Sequence, residues 1–177
     1  LDIQTFQELF PFDSLGIAVD AAIGSTLPVQ EFLDDLADEL GISYTFISFD
    51  DIDEIVANLN GVDALYLNGG FLLNDEEIIE LSEKLIERGI PSFTSTSVRD
   101  VELGLMATNQ VETNYNLFFR RLALTVEAII DGASPNNLSS NINAEAQLSV
   151  NYNTANRLDV PLRYSMIGTT NLVGEFV

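Results

Sequence analysis

The sequence has no cysteine, no histidine, no tryptophan and a single lysine. Without cysteine there is no disulfide, no thiolate nucleophile and no soft metal ligand. Without histidine, the side chain that most often serves as general base and as transition-metal ligand is missing. Cationic charge is scarce, with 7 Lys and Arg against 28 Asp and Glu, a formal net charge of −21. Residues 1–83 hold 19 acids and no Lys or Arg; the first basic residue is Lys84. Nucleic acid and anionic lipid both require cationic surface, so neither is an expected partner. A basic partner or a saline habitat fits, as does an acidic surface kept for solubility. No apolar run approaches the ~20 residues of a membrane-spanning helix, so no direct membrane insertion of this segment is expected.

What is present is a 46% hydrophobic content and a mean hydropathy of +0.18 over 177 residues, enough for a packed domain rather than a disordered chain. The opening LDIQTFQELF has neither an initiating Met nor a basic n-region, and TTNLVGEFV carries no stop signal, so both ends read as trimmed.

Strands and helices alternate through the first hundred residues. LGIAVDAA (15–22) reads as a buried strand. PVQEFLDDLADELG follows, with Pro28 at a first turn, Val29, Phe32, Leu33, Leu36 and Leu40 on one helical face, and Gly41 as its stop. ISYTFISF is a second strand, and DIDEIVANLN a helix with its acids in the first turn, where the helix dipole favours them. VDALYLN is the third strand; Asn74 caps DEEIIELSEKLIER, and IPSFTSTS is the fourth strand. Strands joined by single helices imply parallel pairing with right-handed crossovers. Beyond residue 98 the rhythm changes to VRDVELG as a helical turn and LMATN as a short strand. A long helix in VETNYNLFFRRLALTVEAIIDG, a strand in AEAQLSVN, a short helix in YNTANRLDV and a last strand in RYSMIGTTNLV complete the chain. The predicted fold is α/β, a flavodoxin-like three-layer parallel sheet with a partial second lobe. Its expected division is 1–14 as a lead-in, 15–104 as the α/β lobe and 105–177 as the long helix plus partial second lobe.

No G-x-S-x-G, P-loop or G-x-G-x-x-G is present, so the chain reads as non-enzymatic. An acidic metal-dependent enzyme is a weaker reading that would rest on Asp20 or Asp100. FDDIDEI suggests calcium by composition, but it lacks the loop spacing and central glycine, and helix capping accounts for its acids. No metal and no cofactor are expected.

The strand ends carry the candidate site. In open α/β sheets ligands bind beyond the carboxyl ends of the strands. Those ends read AIGST, FDDID, NGGF and TSTSV, offering Ser25, Thr26, Asn68, the Gly69 and Gly70 amides, Ser95 and Thr96 to a small polar molecule. Turn chemistry alone also favours such residues. In the long helix, Phe118 and Phe119 read as core, and Arg120 and Arg121 as neutralising nearby acids or anchoring an interdomain contact.

Several pieces, in order, resemble one family. They are Asp63-Ala-Leu-Tyr66, Ile90-Pro-Ser-Phe93, Val101-Glu-Leu-Gly-Leu-Met-Ala107, Gly132 with Pro135, and Asn151, Thr154, Ala155, Leu158, Val160 and Pro161. This series resembles the later part of the ABC-transporter substrate-binding family of the type I periplasmic-binding-protein fold, over roughly residues 15–162. Asp159 departs from the pattern, standing where a glycine is usual, and a first lobe has almost no room before residue 15. The resemblance implies a transport-associated solute-binding domain, periplasmic or otherwise extracytoplasmic, with a small-molecule ligand or a transport-system protein as partner. A second resemblance, to the domain appended to TolC-like outer-membrane efflux proteins, implies an accessory domain that has lost ligand binding and is tethered to the outer membrane.

Overall fold

The structure is a computed structural model that describes residues 2–24, 29–110, 115–138, 147–162 and 169–174. The chain forms two compact units, residues 1–110 with 147–177, and residues 111–146.

The first unit is an α/β sandwich. Its strands are β1 (Ser14–Asp20), β2 (Ser43–Phe49), β3 (Ala64–Asn68), β4 (Ser92–Thr94), β5 (Ala107–Thr108), β6 (Ser149–Asn151) and β7 (Asn171–Val173). They form one sheet in the order β2-β1-β3-β4-β5-β6-β7. Strands β1 to β5 are parallel, β6 runs antiparallel to β5, and β7 is parallel to β6. The 2-1-3-4-5 order is that of a flavodoxin-like sheet.

Alternation along the strands separates two apolar layers. Leu15, Ile17, Val19, Ala64, Tyr66 and Phe93 face one layer with Leu33 of α3 (Val29–Leu40). Ala18, Ile47, Leu65 and Leu67 face the other, against Ile52 and Ile55 of α4 (Ile52–Ala57) and Ile78, Leu81 and Leu85 of α5 (Asp75–Glu87). The helix starts follow their caps. Asp51 accepts the Glu54 N–H at 3.1 Å, and Asn74 and Glu77 form a reciprocal capping box.

The opening segment, expected only as a lead-in, forms a helix, α1 (Asp2–Leu9), which buries Ile3, Phe6 and Leu9 on the first layer. Phe6 lies 5.1 Å from Phe12 and 5.3 Å from Phe93 between ring centroids. A short helix, α2 (Ala21–Gly24), follows β1, and α6 (Val98–Glu102) follows β4.

Val150 pairs with Ala107 across β5 and β6, and the segment from Gln147 belongs to the first unit. Helix α8 (Tyr152–Arg157) then packs beside it, capped by Asn151, whose Oδ1 accepts the Thr154 N–H at 3.1 Å. Asp159 adopts φ +54, the left-handed conformation that explains a glycine preference at this turn and that Asp tolerates better than most residues. The second unit holds α7 (Tyr115–Ile130) and a 3-10 turn at Pro135–Asn137. Along α7, Phe119 is exposed rather than forming the expected core, as are Leu122, Val126 and Ile129; the side chain of Phe118, the other expected core residue, lies outside the described residues.

Candidate functional site at the strand carboxyl ends

Asp20 closes β1 and is only 5% exposed. A buried carboxylate needs donors, and its Oδ2 accepts the Gly70 N–H at 2.9 Å. This contact requires the glycine before it. Gly69 has φ +135, and a Cβ there would stand 2.6 Å from Asp20 Oδ2. The loop after β4 is laced onto the loop after β3. Ser95 Oγ donates to Asn68 Oδ1 at 2.9 Å, Ser95 N–H donates to the Leu67 carbonyl at 3.0 Å, and Thr96 Oγ1 donates to the Gly69 carbonyl.

Helix α1 brings a second acid to the same edge. The Tyr66 hydroxyl donates to Asp2 Oδ2 at 3.1 Å, and Asn109 Nδ2, just past β5, donates to Asp2 Oδ1 at 3.3 Å. Burial pushes the Tyr66 phenol well above its usual range, and the Asp2 carboxylate raises it further, so the phenol stays protonated as a donor.

Under this rim, Asp100 organises the turn from β4 into α6. It accepts Thr94 Oγ1 and Ser97 Oγ, each at 3.0 Å. Burial raises its pKa, and the two hydroxyls pull against that rise. Arg99, the nearest cation along the chain, is paired with Asp75.

The structure therefore gathers Asn68, Gly69, Gly70, Ser95 and Thr96 into one hydrogen-bonded rim; Ser25 and Thr26 lie outside the described residues. The Gly70 amide, expected to serve a ligand, is occupied by Asp20. Asp2, Tyr66 and Asn109 were not anticipated. Tyr66 is the one polar aromatic in an aliphatic strand, a usable signal; Asp2, at the start of α1, carries none. Among the described residues no cluster of acids has the geometry to hold a metal ion, and no helix is long and apolar enough to cross a membrane.

A surface hollow of about 600 Å³ lies elsewhere, at the amino ends of the strands, lined by Gln7, Phe10, Asp13, Asp63 and Arg88 among others. Its polar groups have structural work: Asp63 Oδ2 accepts the N–H groups of Asp13 and Ser14 at 3.2 and 2.9 Å, and Arg88 donates to the Val56 carbonyl at 2.7 Å. The carboxyl edge is the better candidate, being where open α/β sheets take ligands.

No family profile and no curated protein sequence matches the chain. Solved structures do. A conserved domain protein from Vibrio cholerae O1 biovar El Tor superposes with TM-score 0.72 at 17% identity, over 97% of this chain and 58% of its own. An ABC domain from Streptococcus pneumoniae in complex with L-Trp gives 0.71 at 17% identity, over 97% and 59%. The ligand-free, open structure of a substrate binding protein with adhesive properties from Clostridium difficile gives 0.69 at 16% identity, over 97% and 58%. The chain thus spans under three-fifths of the length of these structures. It is an α/β protein with a mostly parallel sheet flanked by helices, and it shares the fold of substrate-binding proteins.

Proposed function

We propose that the chain is a transport-associated solute-binding domain of the ABC-transporter substrate-binding kind. It acts outside the cytoplasm without catalysing a reaction, and it takes a small polar molecule at the carboxyl ends of β1, β3 and β4. The observation that carries this reading is the rim itself. Asn68, Ser95, Thr96, Tyr66 and Asp2 converge there on a fold shared with a protein solved with L-Trp bound. Such groups orient a ligand through hydrogen bonds without any nucleophile or metal. Calorimetry or thermal shift of the folded chain against a broad metabolite panel tests it. A saturable ligand whose binding is lost in Asn68→Ala and Ser95→Ala supports the reading; no ligand overturns it.

A second reading has its own observation. Phe71 and Leu72 are 68% and 81% exposed beside the rim, and exposed apolar residues mark protein contacts as well as ligand grooves. In that reading the domain is an accessory module of a TolC-like outer-membrane efflux protein and has lost ligand binding. The flanking reading frame separates the two. Long helical heptads and barrel strands downstream support the accessory module, and a further lobe upstream supports solute binding.

A further inference from the structure

Along α7, Phe119, Leu122, Val126 and Ile129 succeed one another at intervals of three, four and three residues, the spacing of a seam that packs on another helix. At about 100° per residue they share one stripe with Ile130. All five are exposed, Ile130 at 79%. Ala123 and Ile130, at the edge of the stripe, bring no charge to it. A seam of this spacing is filled best by a helix that repeats it.

The charges on α7 single out the occupant. Helix α5 follows its dipole, with Asp75, Glu76 and Glu77 in the first turn and Lys84 in the last. Helix α7 has no acid in its first turn and no base in its last. Instead Arg120 precedes Glu127, and the helical hydrogen bond from Asp131 N–H to the Glu127 carbonyl carries Asp131 onto the same edge. Glu127 and Asp131 stand at i,i+4, a like-charge spacing that costs a helix stability. Arg120 is seven residues from Glu127, a wider step than the pairs a helix makes within itself. Turned antiparallel, a second copy of α7 sets its Glu127 and Asp131 on the edge that holds Arg120, and two-fold symmetry repeats the match. Residues 111–146 hold Arg120 and Arg121 against Glu112, Glu127, Asp131 and Glu145; of the 7 basic and 28 acidic residues, the other 5 and 24 lie outside this unit. Two copies, each at −21, therefore meet with least repulsion through it.

We propose that α7 is a self-association surface: two copies of this chain pair their α7 helices antiparallel about a two-fold axis, with Phe119, Leu122, Val126 and Ile129 in the seam. The pairing is independent of what the strand ends bind. A helix of 16 residues is about 24 Å long, so the pair buries less than the ~1,200 Å² of a standard interface and the dimer is a weak, reversible one.

Sedimentation velocity of the full chain tests it, at about 0.15 M salt and over roughly 5 to 500 μM protein. A reversible monomer–dimer equilibrium is expected, with a Kd on the order of 10–100 μM. Leu122→Asn with Ile129→Asn changes two exposed side chains, so the fold is kept, as circular dichroism and thermal unfolding verify, while Kd rises about tenfold or more. Glu127→Arg sets like charges on one edge and raises Kd about threefold or more, and adding Arg120→Glu restores it. A monomer across the whole range gives the seam to a helix of some other partner and overturns the proposal. A dimer indifferent to the Leu122 and Ile129 changes places the contact elsewhere and overturns it too. A dimer lost in that variant but unmoved by Glu127→Arg overturns the antiparallel pairing.

Discussion

Gly69→Ala puts a methyl group where Asp20 already stands. The new Cβ would lie 2.6 Å from Asp20 Oδ2, 3.2 Å from its Cγ and 3.3 Å from its backbone nitrogen. The backbone at φ +135 is also one that side chains rarely adopt, at a cost of about 1–3 kcal/mol. Relief of the clash pushes Asp20 off the Gly70 N–H, a buried hydrogen bond to a charged group worth about 1.5–3 kcal/mol. Together the loss is about 2.5–6 kcal/mol, a large share of the ~5–15 kcal/mol that holds an ordinary domain. Urea unfolding reads it directly, and thermal unfolding should show a fall of about 5–24 °C for a chain of this size. A double-mutant cycle isolates the mechanism. Asp20→Ala alone leaves the Gly70 N–H unpaired, at about 1–3 kcal/mol. In the double variant that bond cannot be lost twice, so the total falls short of the sum of the single costs by about 1.5–3 kcal/mol. A cost for Gly69→Ala below about 1 kcal/mol, or additivity within about 0.5 kcal/mol, would refute the reasoning.

Three further substitutions test the supports of the site. Asn151 both caps α8 and donates to the buried Val101 carbonyl at 2.7 Å, so Asn151→Ala should cost about 2–3 kcal/mol in urea unfolding; a cost within about 0.5 kcal/mol would contradict it. Burial raises the Asp100 pKa in the folded state, so its carboxyl contributes stability that is whole below the unfolded value, near pH 4, and is lost as pH rises through the folded value. The stability difference between the natural protein and Asp100→Asn should therefore shrink from about pH 4 towards neutrality, and a pH-independent difference counts against this. Arg157 forms a two-pronged pair with Glu83, both at 2.7 Å, and lowers the Glu83 pKa. Both side chains are about half exposed, so Glu83→Gln should cost under about 1 kcal/mol. A depressed carboxylate stabilises above its unfolded pKa and ceases to do so as pH falls through the folded one. The cost should accordingly vanish in acid and in high salt; a cost that persists in both would place the pair's contribution in packing instead.

The parallel sheet and its helices were legible because each signal was local. Caps such as Asn74, the stop at Gly89 and the apolar strand cores specify their own elements. Asp63, just before β3, has its reason in the fold: it ties the start of β1 to the start of β3. The half of the rim made from Asn68 to Gly70 with Ser95 and Thr96 was legible because strand ends in this fold class are where ligands go. What the sequence could not show depends on distant pairing. Helix α1 has only three buried side chains, so the sheet rather than its own periodicity positions it, and Asp2 stayed hidden with it. The return of residues 149–151 to β5 is a long-range antiparallel pairing across an intervening unit. Three residues carry too little alternation to announce that pairing. The engagement of the Gly70 amide by Asp20, 50 positions away, is likewise a tertiary fact.

The central claim is that a small molecule binds at the carboxyl ends of β1, β3 and β4. Its most direct measurement is a nitrogen-15 amide titration of the whole chain with a ligand found by the metabolite panel. Saturable shifts are expected at Asn68, Gly69, Gly70, Ser95 and Thr96, with the amino-end hollow around Asp13, Asp63 and Arg88 unmoved. Shifts confined to that hollow, or no saturable shift at all, would contradict it.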